Sequence, residues 1–220
     1  MLGWPFFVPE WADENGLVAV GGDLRPQQLL RAYRAGVFPW YDEGDPVCWW
    51  SPDPRAIFEL DGLHVSRRLA RTLRSARFRV TVNQDFAGVI RGCADRPEGT
   101  WITADMIAAY ERLHRLGHAH SINVWHGDEL AGGLYGMALG GFFAGESMFS
   151  RKSDASKVAL VYLVDRLRQR GFRLFDIQLL TEHTARLGAI EIPRDEYLAR
   201  LRRALACTVS FVGPSGSESP

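Results

Sequence analysis

Two short runs of this 220-residue chain combine residue types that can do chemistry. The first is Phe175-Asp176-Ile177-Gln178. Read as a strand, it puts Asp176 and Gln178 on one face, about 6–7 Å apart from the rise per residue. Leu174 and Phe172 precede them on that face, so two polar groups interrupt an apolar surface. A carboxylate followed by an amide can accept from and donate to one substrate. A structural pair that caps a neighbouring loop fits the pattern equally well. The second run is Gly145-Glu146-Ser147-Met148-Phe149-Ser150, which closes a glycine-rich hairpin. Glycine lets a ligand or another backbone come close, and a carboxylate beside it can meet an ammonium group. Turn glycines with a solvated glutamate are the plainer alternative.

Other patterns exclude chemistry. His114, His118 and His120 have superficially metal-like spacing, but Gly117 ends the helix between the first two. Packing and loop hydrogen bonds are expected for them, with no metal and no other cofactor. The chain has no G-x-x-x-x-G-K-[ST] loop and no strand-coupled G-x-G-x-x-G, which argues against ATP or dinucleotides. It lacks the G-x-S-x-G elbow of serine hydrolases. Cys48, Cys93 and Cys207 are odd in number and scattered, so they read as core or half-buried thiols.

Charge is balanced overall, with 26 basic and 26 acidic residues, which gives no global pull on nucleic acid. Its distribution is uneven. No acidic residue lies between Gly62 and Gln84, where Arg67, Arg68, Arg71, Arg74, Arg77 and Arg79 all fall. The run from Ser66 to Ser75 reads as a helix that stacks Arg67, Arg71 and Arg74 on one face. Like charges so placed repel unless an anion relieves them, and guanidinium groups match phosphate oxygens. A merely solvated basic face is the alternative, in a chain whose only lysines are Lys152 and Lys157.

The elements that must position these residues follow an α+β order. The first fifty residues are rich in Trp, Pro and Gly, with one short helix from Pro26 to Ala35. They suggest a small irregular lobe, 1–54, closed by the turn Ser51-Pro52-Asp53-Pro54. Residues 55–212 form the main domain. Within it, hydrophobic spacing predicts a strand over 78–82 and helices around 86–93 and 106–113. Three strands follow at 120–125, 130–138 and 142–147, then a long helix from Ser153 or Asp154 to Arg170. A strand over 173–178, a short helix, a strand near Ile190 and a helix over 194–205 complete the series. The Ser/Gly/Pro tail, 213–220, is expected to be disordered. No apolar run is long enough to cross a bilayer, and no basic-then-apolar leader opens the chain. A cytoplasmic monomer without membrane partners is the expectation.

Read together, these residues resemble the bacterial leucyl/phenylalanyl-tRNA–protein transferases. The resemblance is carried by Gly16 to Leu24, Gly36-Val37-Phe38-Pro39-Trp40-Tyr41 and Trp49-Trp50-Ser51-Pro52-Asp53-Pro54-Arg55. It continues through His64-Val65-Ser66-Arg67, Gly99-Thr100-Trp101-Ile102, Gly117 to Ser121 and Gly132 to Gly136. Gly145 to Ser150, Ala155-Ser156-Lys157 and Leu187-Gly188-Ala189 complete it. Asp154 stands where the family pattern has Asn. The resemblance implies a GNAT-like acyltransferase domain behind the N-terminal lobe. It implies transfer of Leu, Phe or less often Met from Leu-tRNA, Phe-tRNA and their like to proteins with N-terminal Arg or Lys, marking them for N-degron degradation. By position it implies a catalytic set of Asp176, Gln178 and Glu146. Trp40 and Trp101 match aromatic residues near the terminal adenosine. Leu134, Phe143, Met148, Leu160, Leu163 and Phe175 match an apolar side-chain pocket. Arg67, Arg68, Arg71 and Arg74 become the expected tRNA contacts.

Such a reaction suits these residues. An aminoacyl ester is already activated, so the enzyme must chiefly hold a neutral amine against the ester carbonyl. Positioning can supply roughly 7–11 kcal/mol, against about 3–5 kcal/mol for a general base. Orientation is therefore expected to dominate, with Asp176 holding Gln178. Two other classes compete. An acetyl-CoA acyltransferase would carry [QR]-x-x-G-x-[GA], whereas Arg168-Gln169-Arg170-Gly171-Phe172-Arg173 ends in Arg. A non-catalytic tRNA- or peptide-binding module would bind without transfer.

Overall fold

The computed structural model describes residues 7–97 and 99–213. The tail expected to be disordered, 213–220, lies outside the described residues except for Gly213, as do residues 1–6.

The chain opens with β1 (Leu17–Val20), α1 (Pro26–Arg34), β2 (Phe38–Pro39) and β3 (Cys48–Trp50), which build a three-stranded sheet in the order β1-β3-β2. The sequence reading foresaw the helix but none of these strands. They are two to four residues long, too short for an alternation signal, and their pairing is held largely by Trp49 and Trp50. The Trp49 ring is fully buried, and its Nε1 donates to the Gly21 carbonyl at 2.8 Å. A tryptophan is buried most cheaply when its N–H finds a partner.

After a cis Asp53–Pro54 peptide the chain enters the main sheet. Its strands are β4 (Arg55–Phe58), β5 (Arg79–Val82), β6 (Ala119–His126), β7 (Glu129–Leu139), β8 (Phe142–Ser150), β9 (Leu174–Gln178) and β10 (Ile190–Ile192), in the order β10-β4-β9-β8-β7-β6-β5. All neighbours are antiparallel except β8 and β9, which run parallel. A parallel pair needs a crossover, and α5 (Ala155–Gln169) supplies it. The remaining helices are α2 (Arg67–Arg74), α3 (Phe86–Ala94), α4 (Ala104–Arg115), α6 (Glu182–Arg186) and α7 (Arg194–Leu205). Side-chain caps from Ser66, Asp85 and Thr103 start α2, α3 and α4, each satisfying an orphan N–H of a first turn. The mixed α/β architecture agrees with the composition of elements read from the sequence.

The main sheet separates two cores. One holds Leu29, Tyr33, Trp49, Tyr110, Tyr135 and Tyr197 under α1, α3, α4 and α7. The other holds Leu69, Leu134, Phe143, Leu160, Leu163 and Phe175 under α2 and α5. Gly132 permits the second contact. A Cβ there would stand 2.6 Å from the Ala155 Cβ and 2.9 Å from the Phe149 carbonyl oxygen, so any larger residue would push α5 off the strand. Trp49 and Phe38 join the first core, and the N-terminal strands are thereby packed into the same interior as the main sheet.

Candidate active site

A cavity of about 1050 Å³ opens where β7 and β8 lose register between Tyr135 and Gly136. Such a bulge bends a strand and re-aims its side chains. One wall is apolar: Phe58, Leu134, Met148, Leu160, Leu163 and Phe175, extended by Ile177 and Leu179. Trp40 and Trp101 also line it, Trp40 being 42% exposed and tilted against Trp50 with ring centroids 6.0 Å apart. Charged groups lining it include Asp42, Glu43, Asp95, Arg96 and Arg151. The structure thus brings together Glu146, Trp40, Trp101, Leu134, Met148, Leu160, Leu163 and Phe175. Phe143 stands behind the wall, edge-on to Phe175 with centroids 5.8 Å apart.

Glu146 sits at the bulge. The residue is partly open to the cavity, yet its Oε1 is buried and has no hydrogen-bond partner. Its Oε2 accepts from the Tyr110 hydroxyl at 3.1 Å, and Tyr110 shares a short hydrogen bond with Tyr33. Burial pushes the Glu146 carboxyl up to about 8, the bonds from Tyr33 and Tyr110 work in the opposite direction, and the negative charge of Asp176 adds to the rise. At neutral pH the group therefore carries a proton most of the time. The Tyr135 hydroxyl, also on the cavity lining, is the second buried polar atom there without a partner.

Asp176 keeps the alternation of the strand, and Gln178 leaves it. Phe175 and Ile177 face the second core and the cavity, while Asp176 points into the opposite layer and is fully buried. Arg55 meets it with two prongs, Nε to Oδ1 at 2.8 Å and Nη2 to Oδ2 at 2.7 Å. The Tyr197 hydroxyl donates to Oδ2 at 3.1 Å. Gln178 ends the strand at φ +62°, and its backbone N–H turns back to Asp176 Oδ1 at 2.9 Å. The Gly145 and Ile177 carbonyls face its side-chain amide, which satisfies both at 2.9 Å when the amide is oriented with its nitrogen toward them. The amide is thus fastened beside Glu146. Burial alone would lower the Arg55 pKa, but the Asp176 carboxylate overrides this and raises it above its ordinary value.

Sequence reasoning missed Arg55 and Tyr197. Arg55 was visible only as the last residue of a turn motif, and the strand it begins is four residues long. Tyr197 lay inside the helix expected over 194–205 and drew no reading of its own. Tyr33 and Tyr110 were missed as a polar pair because both were counted toward helix faces.

The basic helix is α2, capped by Ser66, with Arg67, Arg71 and Arg74 exposed. Arg68 differs from these three. It reaches Ser153 at 3.2 Å and Asp154 at 3.5 Å, and Asp154 also binds Lys157 at 3.2 Å. Asp154 adopts φ +72°, a left-handed conformation that Asn and Asp tolerate better than most residues. The histidines pack as expected. His114 stacks on Phe86 and bonds the Ala119 carbonyl at 2.8 Å, while buried His120 stacks on Phe211 and is pushed down to about 3 by burial. Among the described residues no helix is long and apolar enough to cross a membrane.

Comparison with known proteins places this chain among the aminoacyltransferases that draw on aminoacyl-tRNA. A family described as leucyl/phenylalanyl-tRNA protein transferase matches residues 57–202, and the N-terminal domain of the same family matches residues 22–53. A leucyl/phenylalanyl-tRNA–protein transferase from Anaeromyxobacter sp. (strain Fw109-5) is 58% identical over 201 residues, covering 90% of this chain and 86% of that relative. One from Escherichia coli is 55% identical over 198 residues, covering 89% and 85%. The solved structure of L-PGS from Bacillus licheniformis shares 13% identity over 72% of this chain and 54% of that one, with a TM-score of 0.40, too loose a likeness to argue from. The chain belongs to the leucyl/phenylalanyl-tRNA–protein transferase family. It transfers leucine or phenylalanine from aminoacyl-tRNA to proteins.

Proposed function

We propose that this transferase joins the esterified amino acid to the α-amine of proteins that begin with Arg or Lys, and that the two substrates meet beside Glu146 and Gln178. Methionine is a weaker donor. The product marks its carrier for N-degron degradation in the cytoplasm, and the enzyme acts as a monomer. Its chain divides into a lobe of residues 1–54 and a GNAT-like catalytic domain of residues 55–212.

The observation that carries this reading is a single cavity with one apolar wall, tryptophans, and a buried carboxyl whose Oε1 lacks a partner. The side chains of Leu, Phe and Met, none of them branched at Cβ, fit an apolar wall made by Leu134, Met148, Leu160, Leu163 and Phe175, backed by Phe143. Trp40 and Trp101 suit the flat face of the terminal adenosine. The three outward arginines of α2, with Arg68 braced beside them, suit the phosphates of the tRNA body. Glu146 fixes the incoming amine at its open Oε1. Gln178, held by Asp176, orients the amine toward the ester carbonyl.

Bond formation joins the amine nitrogen to the carbonyl carbon and releases the ribose oxygen of the tRNA, which takes up a proton. Orientation provides most of the rate. Incubation with Phe-tRNA and peptides starting with Arg, Lys or Ala tests the reading. Label is expected on the Arg and Lys peptides only. Equal labelling of the Ala peptide, or acyl transfer from acetyl-CoA instead, would overturn it.

A further inference from the structure

We infer that Arg55 and Tyr197 are positioning residues for the transfer, and that Asp176 acts through them as a saturated anchor for Gln178 and carries no proton in the reaction. The inference rests on the reading above, in which Gln178 meets the substrate, and adds how Gln178 is held.

A carboxylate offers about four lone-pair sites. In Asp176 all four are taken. Oδ1 accepts from Arg55 Nε at 2.8 Å and from the Gln178 backbone at 2.9 Å; Oδ2 accepts from Arg55 Nη2 at 2.7 Å and from the Tyr197 hydroxyl at 3.1 Å. Asp176 is 0% exposed and Arg55 1% exposed, and neither Asp176 nor Gln178 is among the residues lining the cavity, so Gln178 borders it only through Gly145, which does line it. To take a proton, the carboxylate would have to surrender a charged donor inside the protein, where such a bond is strong and its loss costly.

The anchor has a task that needs it. Gln178 holds φ +62° without being glycine, a conformation that is strained for a side chain with a Cβ. The Leu179 N–H closes this bend on the Ile177 carbonyl at 2.8 Å, the Gln178 N–H bond to Asp176 Oδ1 braces it from the other side, and the bend carries the amide to the Gly145 carbonyl beside Glu146.

Arg55 is itself gripped on every side. Its guanidinium lies between the Phe38 and Tyr197 rings, 4.8 and 4.4 Å from their centroids, and Nη1 donates to the Gly36 carbonyl at 3.1 Å. Nη2 also meets the Tyr197 hydroxyl at 3.3 Å. Gly36 has φ +80°, and a Cβ there would stand 2.6 Å from Leu198 Cδ2 and 3.1 Å from Tyr197 Cε1. Four stretches distant in sequence, 36–38, 55, 176–178 and 197, thus close one cage. The nearby titratable groups are Tyr33 and Glu146, which couple to Arg55 and to Asp176 through charge alone.

The test is single-turnover transfer from saturating Phe-tRNA to an Arg-starting peptide, run from pH 5.5 to 9 on the full chain. Tyr197→Phe, which removes one donor and no charge, should lower kcat by roughly 10-fold through mispositioning. Its KM for Phe-tRNA should stay within about twofold, because uniform binding is untouched, and the shape of its pH profile should not change. An acid limb that moves upward in Tyr197→Phe, or an unchanged kcat, overturns the inference. A second arm uses the unaltered enzyme with acceptors of differing amine basicity. The acid limb should follow the acceptor's amine; a limb that stays fixed for every acceptor contradicts the inference. Gln178→Ala separates the levels. If it transfers at the parent rate, the reading of the site fails; if it is slow while Tyr197→Phe equals the parent, only the cage fails.

Discussion

The two faces of β9 do opposite things with neighbouring residues. Phe175 and Ile177 look into an open, apolar cavity shared with α5. Asp176, between them, looks into a closed ionic cage whose groups are almost wholly buried. The cavity face can vary its fit without unfolding anything, since its wall is made of interchangeable hydrocarbon. The cage face cannot, because each of its polar atoms depends on another. On the function proposed above, substrate shape belongs to the first and geometric precision to the second, and a strand's two-residue period lets neighbouring residues serve both.

The sharpest way to break this contrast is to cut the cage. Asp176→Ala leaves Arg55 buried without its carboxylate, and we expect a loss of about 3–5 kcal/mol in denaturant unfolding. A loss below about 1 kcal/mol, the range of exposed pairs, would mean that the cage does not hold the fold together. Next in size is the surface beside the cavity face. Replacing Arg67, Arg71 and Arg74 together with alanine should lower kcat/KM for Phe-tRNA by roughly 100-fold at low salt. The salt dependence of binding should flatten by about one unit of slope per lost phosphate contact, and single-turnover transfer at saturating tRNA should barely change.

Within the cavity, Leu163→Phe narrows the wall. Competition between Phe-tRNA and Leu-tRNA should then shift toward leucine by roughly 10-fold, the scale of one or two methylenes in a pocket, with little change in stability beyond local overpacking. Glu146 stands where the two regions meet. Its carboxyl is raised from 4.5 to about 8 in the folded protein. A raised carboxyl holds its proton more tightly when folded, so its contribution is fully present below about pH 4.5 and is lost as pH rises toward 8. Glu146→Gln should remove that slope. The difference in stability between variant and parent should therefore grow in favour of the variant within this window, by about 1.4 kcal/mol per pH unit.

How much of this was legible beforehand follows the same division. The elements around the cavity announced themselves through helical spacing and a glycine-rich hairpin, because α5 spans 15 residues and β8 nine, long enough for periodicity to register; which of their side chains line it came only from the family resemblance. The basic face of α2 was plain from a run without acids. The cage was not legible. Its members lie up to 142 residues apart in sequence, Arg55 opens a four-residue strand, and Tyr197 sits among apolar helix positions. Nothing local in the sequence distinguishes a buried ion pair from two surface charges. The left-handed turn of Gln178 was equally hidden, since alternation assumes an unbroken strand. The small N-terminal sheet escaped because its pairing depends on tertiary burial of Trp49 more than on strand propensity.

The most direct measurement is single-turnover transfer of labelled phenylalanine from saturating Phe-tRNA to an Arg-starting peptide by Gln178→Ala, with Phe-tRNA binding measured on the same sample. The amide placed beside Glu146 should matter to the step and not to the binding. We expect tRNA affinity within about twofold of the parent and a transfer rate lowered by roughly 100-fold, the scale of a lost positioning contact. Parent-like transfer with parent-like binding would contradict the account.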